Sequence, residues 1–420
     1  MNQISLGNDK AVSYYAKFII VAYVLLGFFE KIHALVDTIL FLDGLLTFFG
    51  MIFVFIWFFD KRRFPCNKGS VSLLIFTFFI LFSSLVGRSS MARFSVSGFA
   101  IVETWALILA IVEVKRDIHD IFLYLSLFAV LFAFVYSIFS LIEGIENSEV
   151  RVSGLSDQSN SLGVMASISI ILCMVNIRKW RKIAATIVWN VIDVSLIPFF
   201  LFTLWKSDSR TSMLAIVLAS LFIVITSLVF LRKQSSAFWA LIPSLVVVVA
   251  ALVFLITGVR SLKSYTLDTF SSGRTIIWRE TFDSMGLKEY LLGFSGNDKD
   301  LMEKLVENGA SSVTLSMQGE KHLAHNMFLG IFFEYGVFAA ITFIFGWIWT
   351  MKKGIGYLSK KKKWGSREVF ASLSLLSFFL IHSIAESSIY FIGGAEQLLF
   401  ICSIAVLYSV TVAKRKSVNE

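Results

Sequence analysis

The chain has 420 residues, 57% of them hydrophobic, with 43 phenylalanines and a mean hydropathy of +0.78, which excludes an ordinary globular domain. Its net charge of +9 is explained by basic residues anchoring the ends of apolar segments to anionic headgroups, so a nucleic-acid partner is not required. The three cysteines, Cys66, Cys173 and Cys402, form neither a metal-binding spacing nor a disulfide framework.

A spanning helix needs about 20 mostly apolar residues to cross a hydrocarbon core about 30 Å thick. Taken in order, spans are expected at 14–30, 38–59, 70–87, 95–114, 119–142, 161–177, 184–205, 212–231, 238–259, 324–350, 367–385 and 393–413. The polar start MNQISLGNDK lacks the pattern of a removable signal peptide, so the first span is expected to stay. Only Pro65, Pro198 and Pro243 interrupt the chain, which favours continuous helices.

Basic clusters fall in every second gap: Lys61 to Arg63, Lys115-Arg116, Arg178 to Lys182, Arg232-Lys233, Lys360 to Lys363 and Lys414 to Lys416. Basic residues are held on the cytoplasmic side during insertion. The alternation therefore predicts cytoplasmic termini and an outward-facing loop at about 260–322, between the ninth and tenth spans. The expected architecture is all-α: one polytopic membrane domain over 1–420, with short amphipathic helices in that loop. Chemistry in the loop must use substrates outside the cytoplasmic pool of ATP and nucleotide sugars.

Within the loop, Ser271 to Phe282 reads as a helix start with Ser272 as N-cap. Ile276, Ile277, Trp278 and Phe282 give it an apolar side suited to a membrane surface. Leu291-Leu292-Gly293 closes it in a glycine turn, and Lys299 to Asn308 forms a second amphipathic helix. His322 to Asn326 then leads into the tenth span.

Arg151, Arg210, Arg274 and Arg279 all lie on the expected outer side, against the insertion bias. A guanidinium presents forked donors matched to phosphate oxygens and stays charged at any working pH. A helix start beside Arg274 would add N–H groups aimed at an anion. Together these residues make a metal-free means of holding a diphosphate, against the simpler reading of lipid-headgroup contacts. His325, at the mouth of a span, has a side chain able to take a proton from a hydroxyl near neutral pH. Glu386, at the outer end of the eleventh span, is a candidate pocket residue. Asp43, Glu103, Asp193 and Glu396 lie inside spans, where scatter favours structural pairing over an ion pathway. Asp298-Lys299-Asp300 matches a short acidic pattern of soluble sugar transferases, but it lies on the wrong side for their donors.

With these residues in view, the chain resembles the O-antigen polymerase and O-antigen ligase superfamily of integral membrane glycosyltransferases. Ser272-Gly273-Arg274 through Trp278-Arg279, followed by Leu291 to Phe294, is similar to the family's block in its main periplasmic loop. His325-Asn326, followed nine residues later by Gly336, is similar to the histidine motif that closes that loop. Ala339 departs from the ligase form of this motif. Ser209-Arg210-Thr211 and the stretch from Gly154 through Asn160 to Gly163 resemble shorter landmarks.

The resemblance implies a GT-C-like bundle in the bacterial inner membrane, multi-pass, with its active site facing the periplasm and no cofactor. It implies a donor glycan on undecaprenyl diphosphate and a sugar hydroxyl as acceptor. Arg210, Arg274 and Arg279 would hold the diphosphate, and His325 would deprotonate or orient the acceptor. Arg151, Trp278, Asn326 and Glu386 would complete the substrate-binding set. The leading expectation is a polymerase of O-antigen or capsular repeat units, with a chain-length regulator as a candidate partner. The alternative is a ligase that transfers glycan to lipid A–core. A flippase or transporter is the third reading; it calls for similar halves and polar residues converging at mid-membrane, and neither is visible in the sequence.

Overall fold

The computed structural model describes residues 3–29, 36–61, 68–86, 91–114, 117–146, 152, 159–177, 184–230, 241–259, 274–294, 298–312, 314–315, 326–360, 366–386 and 395–412. Among these, regular structure is helical: α1 (Gln3–Phe29), α2 (Val36–Lys61), α3 (Lys68–Val86), α4 (Met91–Glu113), α5 (Ile118–Glu146), α6 (Ser159–Asn176), α7 (Ala184–Ser207), α8 (Arg210–Phe230), α9 (Leu241–Val259), α10 (Arg274–Asp283), α11 (Leu287–Leu292), α12 (Asp298–Glu307), α13 (Met327–Ser359), α14 (Ser366–Ala385) and α15 (Ala395–Val412). Each expected span coincides with one helix, α1 to α9 and α13 to α15. Among the described residues, six helices are long and apolar enough to cross a membrane: α1, α5, α7, α8, α13 and α14. Shorter apolar segments lie in α2, α3, α6, α9 and α15, while α4 falls in neither group. The protein is an all-α, multi-pass membrane protein.

Helix pairing follows two neighbourhoods. α6 packs on α7 and α14, and α8 on α9 and α14; α4 joins α1, α2 and α15, while α3 lies along α13. Phenylalanine fills much of the space between helices, as where Phe343 of α13 lies 5.0 Å from the ring of Phe76 on α3. Two carboxylates of α4 have hydrogen-bond donors on α2. Glu103 accepts from Thr47, and Glu113 accepts from Trp57 Nε1 at 3.2 Å. At the end away from the loop, Arg367 donates to Asn176 Oδ1 at 2.8 Å. That contact ties the start of α14 to the end of α6.

The loop helices differ from the sequence expectation in two ways. The helix beginning at Arg274 ends at Asp283, and α11 starts anew after Gly286, whose N–H donates to the Glu289 carboxylate at 3.0 Å. The apolar side of α10 also does not serve as a free membrane-binding face. Ile277 is 1% exposed, and Trp278 and Phe282 pack on a small core of Met285, Phe294, Leu301, Leu305 and Phe333. Phe282 lies 4.9 Å from Phe333 of α13. Burying that side against the bundle removes apolar area from water, which favours a fixed cap over the helix ends.

Two glycines make this docking possible. α13 is broken at Gly336 (φ 82°, ψ 179°), and Gly293 after α11 has φ 70°. The two turns meet almost backbone to backbone. Phe294 N–H donates to Phe333 O at 2.7 Å, and Ser83 Oγ at the end of α3 donates to Leu292 O.

A third tie has a pH dependence. Burial raises the Glu280 carboxyl, but hydrogen bonds from Thr314 and Ser311, with the Arg279 charge, outweigh it, so its pKa is lowered. Ser311 N–H and Oγ each lie 3.0 Å from Glu280 Oε2. A carboxyl with a depressed folded pKa stabilises the structure above its unfolded pKa and loses that contribution as pH falls through the folded one. Amide exchange at Ser311 and Thr314 should therefore accelerate as pH drops below the ordinary glutamate range, after correction for intrinsic exchange. In Glu280→Gln this acid-dependent change should disappear; its persistence would show that another group controls the segment.

Candidate active site

The helix ends nearest the loop converge on one polar cluster. Arg274 opens α10, and its Nη2 contacts Glu386 Oε1 at 2.7 Å, just past the end of α14. Both side chains are largely buried, with 16% and 10% of their areas exposed. Asn160, in the first turn of α6, donates to the same carboxylate oxygen at 2.8 Å. Glu386 thus receives a guanidinium from the loop and an amide from the bundle. An arginine in this setting is held in one orientation by its carboxylate partner.

Asn326 lies beside this cluster and caps α13. Its Oδ1 accepts from Leu329 N–H at 3.0 Å, and its Nδ2 donates to Ile384 O at 2.7 Å. The cap satisfies a free N–H of the helix start and ties α13 to the last turn of α14. Its side chain is engaged in building the mouth of the site, a structural duty beyond the substrate contact expected from sequence.

Arg210 is the first residue of α8 and is exposed; it follows Asp208, whose φ is 48°. The turn that carries it packs tightly on α6. A Cβ at Gly163 would fall 2.6 Å from Ser209 Cβ, so Gly163 allows the close approach. The two shorter sequence landmarks, around Gly163 and around Arg210, therefore meet in space. Arg279 is exposed on α10, and Trp278 is partly buried in the loop core. Arg151 and His325 lie outside the described residues.

His382 was missed by the sequence reading. It is fully buried one turn before Glu386, and its Nε2 lies 3.3 Å from Ser212 Oγ. No motif marks it; its place becomes apparent only when α8 and α14 are side by side. A separate small apolar pocket lies between α3, α4, α13 and α15. Met327 and Gln397 line it near the loop end, next in sequence to Asn326 and Glu396, and Ile108, Ile331, Phe343 and Ile404 continue it into the bundle.

The arrangement is a largely buried, hydrogen-bonded ion pair that joins the loop to the helix ends of the bundle. Residues 195–344, which include α8, Arg274, Arg279, His325 and Gly336, match a family model described as O-antigen ligase. No curated protein matches the chain. The matched stretch supports a relation to the O-antigen polymerase and ligase superfamily.

Proposed function

We propose that this protein is a polymerase of the O-antigen polymerase and ligase superfamily, joining lipid-linked glycan repeat units on the periplasmic face of the inner membrane. The donor is a glycan on undecaprenyl diphosphate, and the acceptor is a sugar hydroxyl of a second lipid-linked unit. The observation that carries the reading is the pairing of the loop's Arg274 with Glu386 and Asn160 at the convergence of helix ends.

In this reaction the acceptor oxygen bonds to the anomeric carbon of the donor as that carbon's bond to the diphosphate breaks. The hydroxyl proton passes to His325, and the diphosphate leaves with the bonding electrons. Arg274, with Arg210 and Arg279, offsets the charge gathering on the leaving group, and Arg151 is a further candidate for binding the substrate. Positioned donors in a water-poor site supply several kcal/mol of this kind of stabilisation.

Transfer to lipid A–core is the second reading, favoured by the description of the matched family as O-antigen ligase. Expression in polymerase-null and ligase-null bacteria with a matching repeat unit separates the two. Conversion of single-repeat lipopolysaccharide into a full ladder is expected in the polymerase-null strain, and His325→Ala should abolish it at unchanged protein level. Attachment of accumulated lipid-linked polymer in the ligase-null strain, without ladder formation in the other, would reverse the assignment.

A further inference from the structure

α14 is built mainly from Leu, Phe, Ser and Ile, yet it places one imidazole where no water reaches it. The His382 ring stacks on Phe378, one turn earlier, with centroids 5.5 Å apart and planes at 24°, so packing restricts its orientation. Its Nε2 faces Ser212 Oγ at 3.3 Å, and Ser212 in turn accepts from Ser209 Oγ at 2.9 Å. Ser209 and Ser212 flank Arg210 at the start of α8. Glu386, which holds Arg274 of the loop, follows one turn after the ring.

A polar ring in such a place costs desolvation that an aliphatic side chain of similar size would avoid, unless its hydrogen bonds matter. Here the contacts close a circuit. Asn160 of α6 holds Glu386; α14 carries Glu386 and His382; His382 meets Ser212 of α8; and Ser209 abuts Gly163 back on α6. Resting on the transfer reaction proposed above, we infer that His382 is a positioning residue. It ties the turn that presents Arg210 to the turn whose carboxylate holds Arg274, and so fixes both arginines relative to one diphosphate.

The test uses the full chain in lipid nanodiscs, with geranyl diphosphate as a glycan-free binding probe and a prenyl-diphosphate-linked glycan as transfer substrate. His382→Leu suits the apolar surroundings, so folding should survive. Its affinity for geranyl diphosphate should fall about 10-fold and its kcat about 100-fold, the scale expected when reacting groups are displaced by about 1 Å. His382→Asn, which keeps a hydrogen-bonding group, should recover most of the kcat. Ser212→Ala and Glu386→Gln should be non-additive when His382 is present and additive in His382→Leu. Unchanged affinity and kcat in His382→Leu, or a lower unfolding temperature with kcat intact, would overturn the positioning role. If the unaltered protein neither binds the probe nor transfers glycan, the functional reading fails. The same double-mutant cycle read by thermal unfolding then decides whether His382 couples the two turns at all, and additivity there overturns the coupling.

Discussion

Gly336→Ala should release the loop cap from the bundle and abolish glycan assembly. The backbone at Gly336 lies in a region of φ and ψ essentially reserved for glycine, where another residue costs about 1–3 kcal/mol. A Cβ there would also sit 2.1 Å from Leu291 O, and backbone at that contact cannot turn aside as a side chain can. Overpacking of this kind adds about 1–3 kcal/mol. The sum, about 2–6 kcal/mol, is large against the marginal stability of folded proteins. Gly293→Ala should behave alike, since its Cβ would meet Glu334 backbone carbon at 2.2 Å. Gly309 supplies the control: its φ is +68° but nothing lies within 4 Å, so Gly309→Ala should cost only about 1–2 kcal/mol. Protease cleavage within 274–315 and thermal unfolding measure the difference. Equal behaviour of Gly336→Ala and Gly309→Ala would mean that the close contact between α11 and α13 does not hold the cap.

The second large effect separates holding the fold from doing chemistry. Arg274→Ala strips the guanidinium from a largely buried carboxylate, and breaking such a pair costs on the order of 3 kcal/mol. It also removes a donor from the departing diphosphate, worth about 100- to 1000-fold in rate by analogy with other anion-stabilising donors. Adding Glu386→Gln removes the stranded charge while leaving an oxygen for the Asn160 amide. The double variant should regain most of the lost stability and none of the lost transfer. Arg274→Lys should fall between, because an ammonium keeps the charge but not the fork. The measurements are unfolding temperature and glycan transfer in the same nanodisc preparation. Transfer restored along with stability would reduce Arg274 to a structural partner of Glu386.

Several site features were legible before the fold. Arg274 declared itself through the glycine and tryptophan around it, and Gly336 through its fixed distance from His325. What those residues touch was not legible. Gly293 read as a turn and Gly336 as a motif position, yet their mutual contact depends on the break in α13 and the redocking of α11. The side of α10 read as membrane-facing because an apolar stripe looks the same whether lipid or protein covers it. Glu386 was one candidate among several acidic residues until Asn160 and Arg274 were found on it.

The amino-acid order by itself determined the helices, because a span about 20 residues long is stabilised by its own backbone hydrogen bonds and apolar surface. It determined where polar chemistry can lie for the same reason, since charged groups in apolar stretches are costly. Only the tertiary structure decided the company each group keeps. The Arg274–Glu386–Asn160 cluster spans more than 200 positions of chain, and His382 meets Ser212 across 170. Contacts that long-ranged leave no local periodicity; they arise from helix packing, which pattern along the chain does not specify.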